Sequence, residues 1–295
     1  MSLDELGPLS VARKQANTYE SELELKRKKS LGQYFTGLSL ARLLAALSVR
    51  DGYSTVIDPM AGHGDLLDAV LERSSAWNIQ LKQVDAIEID SSTAAACRTR
   101  LEPWTTIKAD CRLTVQASSA FNVPLLRDLP AQGYDLVITN PPYVRYQTIA
   151  RNGTHEITST ATEVRQALLQ VIEERIPRQE QPVWRELVQG YSGLSDLSVP
   201  CWLLAAMLVK PSGMLALVAP ATWRTRDYAD ILQYMLTRCF ELEAVVTDQQ
   251  PGWFSEVLVR THLVIAKRLS TNYLVTPLRL RSSGQQRVAW IEIAP

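Results

Sequence analysis

The run STVIDPMAGHGDLLDAVLERSSA, residues 54–76, passes from a short apolar strand through a glycine-containing turn into a helical pattern. The same rhythm returns downstream. QVDAIEID (83–90) reads as a second strand, 92–101 as a helix, TTIKAD (105–110) as a third strand and YDLVITN (134–140) as a fourth. GMLALVAP (213–220) is a fifth strand, preceded by an apolar helix over 197–210. ELEAVVTD (241–248) and EVLVRTHLVIAK (256–267) follow closely enough to pair as an antiparallel hairpin. Strands alternating with helices predict an α/β fold whose mostly parallel, seven-stranded sheet is covered on both faces.

Other segments stand outside this rhythm. Residues 9–30 are charged and helical in pattern and end in the basic run Lys26-Arg27-Lys28-Lys29, which suits either a solvated helix or a phosphate contact. LSLARLLAALS (38–48) is a strongly apolar helix pattern. Residues 144–194 are an insertion directly after the fourth strand. They carry an amphipathic helix (Val164, Ala167, Leu168, Val171, Ile172), a polar break at 177–182 and a shorter helix at 183–189. A lid or substrate wall is one reading of the insertion, and surface elaboration the other. PLRLR and RVAWIEI, within 276–295, read as strands beyond the main sheet. The expected organisation is an N-terminal helical extension (1–30), a catalytic domain (31–268) and a C-terminal extension (269–295) without a full target-recognition domain.

Composition narrows the class. The chain carries 31 basic and 31 acidic residues, whereas a free-standing nucleic-acid binder is usually basic. No apolar run reaches the roughly 18–20 residues of a membrane span, and the polar N-terminus does not resemble a secretory signal. The scattered Cys97, Cys111, Cys201 and Cys239 form no Cys-x-x-Cys pair, which argues against a zinc site and for a reduced, cytoplasmic protein.

The strand ends carry the chemistry. In an open parallel sheet the ligand crevice lies outside the carboxyl ends of the strands. Asp58, Glu88, Asp110 and Asn140 end or nearly end the four predicted strands, so three acids and an amide are expected on one edge. Gly62 and Gly64 allow close approach of a ligand to the first turn. Glu88, 24 residues beyond Gly64, is placed to accept both hydroxyls of a ribose. The turn lacks a third glycine at pyrophosphate spacing, and an acid at position 58 repels phosphate. A nucleoside with positive charge and no phosphate fits better, and S-adenosylmethionine is such a molecule.

Asn140-Pro141-Pro142-Tyr143 adds a reaction. The exocyclic amine of adenine is a poor nucleophile because its lone pair is delocalised into the ring. An amide oxygen and a rigidly held proline carbonyl accepting its two N–H bonds would localise that lone pair. Tyr143 can stack on the base. Catalysis would then consist mostly of positioning.

These motifs resemble the gamma-type adenine-N6 DNA methyltransferases of bacterial restriction–modification and related defence systems, over roughly residues 26–268 and in that family's order. The resemblance implies a Rossmann-like S-adenosylmethionine-dependent methyltransferase fold. GQYFT (32–36) resembles the element that holds the methionine end of the cofactor, implying contacts from Tyr34, Phe35 and Thr36. DPMAGHG (58–64) matches the cofactor loop, with Asp58 implied to face the ammonium and Pro59, Met60, Gly62 and Gly64 to line it. EID (88–90) implies Glu88 at the ribose with Ile89 beside it. ADC (109–111) implies Asp110 at the cofactor's adenine amine, with Cys111 where the family often has a bulky apolar residue. NPPY implies Asn140, Pro141, Pro142 and Tyr143 as catalytic. SDL (195–197), with Asp196, resembles the lining of the target-base pocket. WFSEVLVRTHLVIA (253–266) resembles the hairpin that stacks on a flipped base, which points to Phe254, with Trp253 competing.

The catalytic tetrapeptide is shared with enzymes that methylate protein glutamine amides, and a close relative occurs in guanine-N2 RNA methyltransferases. A non-catalytic methyltransferase-fold subunit is a further reading. GQYFT and DPMAGHG favour DNA adenine. Family members usually carry or borrow a target-recognition domain, so a separate recognition subunit or a further region, and weak DNA binding by this chain alone, are expected. Pro200-Cys201 resembles a cytosine-C5 nucleophile but starts an apolar helix instead of following the fourth strand. His63 has no partner spacing for metal or triad chemistry, and His155 and His262 read as surface and strand residues. Arg224 and Arg226 suit either phosphate contact or a solvated loop.

Overall fold

A computed structural model describes residues 36–143, 160–191, 196–226, 229–248, 260–270 and 289–293. After helix α1 (Leu38–Ser48) the chain alternates β1 (Thr55–Asp58), α2 (Asp65–Ala76), β2 (Gln83–Glu88), α3 (Ser91–Ile107), β3 (Arg112–Ala117), α4 (Val123–Arg127) and β4 (Tyr134–Thr139). Helices α5 (Ala161–Arg175), α6 (Gln181–Gly190) and α7 (Ser198–Leu208) lead into β5 (Val209–Pro220), then α8 (Ala229–Cys239), β6 (Phe240–Asp248), β7 (Thr261–Arg268) and β8 (Ala289–Ile293). The strands form one sheet in the order β3-β2-β1-β4-β5-β7-β6-β8. Only β7 runs antiparallel, between β5 and β6. The expected α/β fold class and its antiparallel β6–β7 pair are therefore present, in a sheet of eight strands where seven were expected.

The sheet is buried on both faces. All six residues of β4 are buried, as a central parallel strand requires. One face packs against α1 to α3 through Leu44, Leu67, Val70, Leu101 and Trp104. The other packs against α5 to α8 through Leu168, Trp184, Trp202 and Leu236.

Three expectations change. The third strand is Arg112–Ala117, not 105–110. Buried Leu101 and Trp104 carry α3 on to Ile107, and the Trp104 indole donates to Asp68 at 2.8 Å. Tertiary anchoring thus overrides the β-branched Thr105, Thr106 and Ile107. Secondly, the segment expected beyond the main sheet extends it: β8 pairs in parallel with β6, Ala244 opposite Ala289 through Asp248 opposite Ile293. Thirdly, α5 and α6 are part of the core. Glu180, wholly buried, pairs with Arg268 of β7 at 2.7 Å, and the Arg268 guanidinium lies over the Trp184 ring. A capping box at Thr160 and Glu163 starts α5.

Candidate active site at the carboxyl edge of the sheet

Asp58 ends β1, Glu88 ends β2 and Asn140 follows β4, and these three strands are neighbours in the sheet. The loop after β1 is shaped by its glycines. Gly64 has φ +83° and caps α2, and a Cβ there would lie 2.8 Å from the Cys97 sulfur. Only glycine meets both conditions without moving the Cys97 side chain. Gly62 also lies at positive φ, and its N–H donates to Glu88 Oε2 at 2.9 Å. Glu88 Oε1 accepts from Asp90 N at 2.9 Å, so one carboxylate fixes both the loop and the start of α3.

The start of α2 is held by two partners of Asp65. Its carboxylate accepts from Gly37 N at 3.1 Å and forms an ion pair with Arg100 at 2.9 Å, and Arg100 and Asp68 are almost fully buried. This ties the segment before α1 to the loop helix. Thr36, the last residue of GQYFT and the only one described, lies at the site: Asn140 Nδ2 donates to its Oγ1 at 3.3 Å. Tyr143 donates its hydroxyl hydrogen bond to the Val218 carbonyl of β5, which fixes the ring next to Asn140 and Pro142.

The acids at this edge are shifted toward neutrality. Burial pushes the Asp58 carboxyl up to about 7, partly offset by the Thr139 hydroxyl beside it and by Met60 N, which donates to Oδ1 at 3.0 Å. Its Oδ2 has no partner of ordinary hydrogen-bond geometry. Burial also raises Glu88, against the backbone donors that favour its charge. A cation held here would favour the ionised form of both carboxylates. Ile89, 36% exposed beside Glu88, offers a flat apolar surface. This donor set fits S-adenosylmethionine: acids for its ammonium and ribose, and an apolar contact for its ring. Asp58, Pro59, Met60, Gly62, Gly64, Glu88, Ile89 and Thr36 are the described residues that would hold it.

Asp110 and Cys111 are not brought to this edge. They precede β3, whose Arg112 lies opposite Gln83 at the amino end of β2. From there to Glu88 is five residue steps, roughly 16 Å at about 3.3 Å per residue. Cys111 is instead a buried core residue. The residues that do follow β3 are Ser118, Ser119 and Phe121, and Ser118 N donates to the Glu88 carbonyl at 2.9 Å. The signal for them was RLTVQA before a Ser-Ser turn, a polar edge strand with weak alternation.

Asp196 precedes α7, which ends where β5 begins at the amino edge, so its start lies toward the carboxyl edge. Cys201 is buried inside α7 and burial raises its thiol, which keeps it protonated and unfit as a nucleophile. His262 is on β7 as read from sequence, but it is buried. Its Nδ1 accepts from the Trp223 indole at 3.0 Å, and burial, then Arg224 and Arg260, lowers it to about 4. Tyr34, Phe35, His155, Trp253 and Phe254 lie outside the described residues. Among the described residues no group of three or more His, Cys, Asp or Glu could hold a metal ion, and no helix is long and apolar enough to cross a membrane.

Comparison with known proteins gives the family and the fold. The model of the Eco57I restriction-modification methylase family matches residues 53–250. The chain belongs to that family. It is 30% identical over 137 residues to the type II methyltransferase M.BsuBI of Bacillus subtilis, a match covering 43% of this chain and 27% of that protein. The chain thus spans about a quarter of the length of that curated relative. Among solved structures, it superposes on a Listeria monocytogenes protein assigned as a class I S-adenosylmethionine-dependent methyltransferase. That superposition has a TM-score of 0.64 and 12% identity, and covers 99% of this chain and 75% of the other. A type I restriction-modification methyltransferase subunit from Streptococcus thermophilus gives a TM-score of 0.58 at 18% identity, covering 88% of this chain and 47% of that one. At these identities the structural matches speak for the fold: it is the methyltransferase fold, shared across restriction-modification enzymes.

Proposed function

We propose that the protein transfers the methyl group of S-adenosylmethionine to the N6 amine of adenine in DNA. One observation carries this reading. Asn140-Pro141-Pro142-Tyr143 stands at the carboxyl end of β4, beside the Asp58 and Glu88 edge, with Tyr143 fixed by Val218. Bound S-adenosylmethionine supplies an electrophilic methyl on a sulfonium. The Asn140 amide oxygen and the Pro141 carbonyl accept the two N–H bonds of the amine and sharpen its lone pair toward the methyl carbon. The new carbon–nitrogen bond forms as the carbon–sulfur bond breaks, leaving a thioether, and the excess proton passes to solvent. A paired adenine hides its amine in the stack, so the base must be extruded. Tyr143 would cover one face of the base, and Phe254 or Trp253 the other. Target recognition would come from a separate subunit or from a further region, as the greater length of the relatives suggests.

The test is labelled methyl transfer to unmethylated bacterial DNA, then digestion to nucleosides and mass spectrometry. N6-methyladenine is expected, and Asn140→Ala should abolish it while cofactor binding persists. A methylated cytosine in the digest, or near-native turnover by Asn140→Ala, would refute the reading.

A further inference from the structure

A buried hydroxyl or carboxyl oxygen is costly unless something bonds to it. At the carboxyl edge of the sheet two such oxygens, Asp58 Oδ2 and Thr139 Oγ1, have no partner of ordinary hydrogen-bond geometry among the described residues. Both side chains are almost wholly buried, at 1% and 0% exposure. They end neighbouring strands. β1 and β4 run in parallel with Ile57 opposite Val137, so Asp58 comes one step later on β1 and Thr139 two steps later on β4. The Thr139 hydroxyl lies close enough to favour the charge of the Asp58 carboxylate. Met60 N donates to the other carboxyl oxygen, Oδ1, at 3.0 Å. A main-chain N–H can only donate, whereas a hydroxyl both donates and accepts. Thr139 can therefore serve Asp58 as carboxylate and as carboxylic acid.

We propose that Thr139 is the positioning residue of Asp58: its hydroxyl donates to the ionised carboxylate and so holds the acid in the form that takes a cation. The proposal rests on the reading of this edge as the S-adenosylmethionine site. It gives a role to a residue just outside the tetrapeptide that begins at Asn140. Consecutive residues then steady the acid for the cofactor and accept the amine of the base. The ionised carboxylate is the stronger acceptor, so the contact should tighten when a cation favours that form. The other titratable groups around Asp58 are Glu88 on β2, which opposes its ionisation, Cys97 on α3, whose thiol burial pushes up, and buried His63 in the loop. Asp65 and Arg100, an ion pair, lie near Cys97. Glu88 titrates as well, so the decisive readout is a signal of Asp58 alone.

The test compares Thr139→Val and Thr139→Ala, which lose the hydroxyl with and without the side-chain bulk, with Thr139→Ser, which keeps it. In protein with 13C-labelled aspartate carboxyls, the Asp58 signal, assigned by its loss in Asp58→Asn, is titrated by NMR with no cofactor added. Its midpoint should rise by about half a unit to one unit in Thr139→Val and Thr139→Ala, and stay within about 0.3 unit of the wild type in Thr139→Ser. Calorimetry with S-adenosylmethionine gives the second readout. From a wild-type midpoint of about 7, that rise weakens binding about two- to fivefold at pH 7 and about three- to tenfold at pH 5.5. Thr139→Ser should bind as the wild type does. An unmoved or lowered Asp58 midpoint in the two hydroxyl-free variants would overturn the proposal, as would an equal rise in Thr139→Ser. A loss of affinity of one size at every pH would also overturn it, since packing alone gives that result. A wild type that bound no S-adenosylmethionine would instead refute the cofactor reading, and the carboxyl midpoints would still decide the role of Thr139.

Discussion

Lowering pH should weaken cofactor binding through Asp58. Its carboxyl is fully buried and raised from 3.8 to about 7. A cationic ligand favours the ionised form, so affinity should follow the ionised fraction. With a value near 7, the apparent dissociation constant is about twice its limit at pH 7 and roughly 33 times its limit at pH 5.5, a drop of about 16-fold or roughly 1.6 kcal/mol. The ligand's own amino group stays protonated over this range, since α-amino groups titrate near about 7.7–8.0. His262 lies near about 4 and does not interfere. The same shift fixes the sign for stability. The folded, cofactor-free protein keeps a proton that the unfolded chain loses between about pH 4 and 7, so stability falls as pH rises through that window. The whole fall is about 4 kcal/mol at roughly 1.4 kcal/mol per unit. Calorimetry of S-adenosylmethionine binding at pH 5.5, 6.2 and 7.0 checks the first effect. Asp58→Asn should bind weakly with a shallower profile, because an amide can still accept from Met60 N but cannot ionise, and the slope that remains belongs to Glu88. An equally steep profile in Asp58→Asn, or a flat one in the wild type, would refute the assignment of the cation to Asp58.

The remaining predictions test placement and packing. Glu88→Ala removes the acceptor of Gly62 N and Asp90 N and should weaken cofactor binding by about ten- to a hundredfold, whereas Asp110→Asn should leave it within about twofold, both read by calorimetry. A large loss in Asp110→Asn would place that carboxylate at the cofactor edge and refute its position before the amino end of β3. Gly64→Ala forces a Cβ into left-handed backbone 2.8 Å from the Cys97 sulfur and should cost on the order of 2 kcal/mol, seen as a lower urea midpoint. Arg268→Leu removes the guanidinium that faces buried Glu180 and should cost about 3–5 kcal/mol, while Glu180→Met with Arg268→Leu should recover most of it in the same denaturation assay.

The sequence by itself determined most of the succession of strands and helices, the loop DPMAGHG, the acid Glu88 at the end of β2 and the tetrapeptide at Asn140. Each of these is local: a buried parallel strand is a short apolar run, and the turn that follows it is written in the next few residues. Where local and non-local terms competed, only tertiary structure decided. Thr105, Thr106 and Ile107 favour a strand, yet Trp104, bonded to Asp68 from a neighbouring helix, keeps them in α3 and moves Asp110 to the far edge. The true third strand is an edge strand with little burial, so it carries little periodicity to read. Helices α5 and α6 have amphipathic faces that fit a lid as well as a core, and the buried pair Glu180 and Arg268, 88 residues apart, settles them in the core. Thr36 and Asn140, 104 residues apart, meet only because the sheet brings the end of β4 under the segment that Asp65 holds in place. Periodicity records which face of an element is apolar. It does not record which partner that face meets, and the partners orient the groups that do the chemistry.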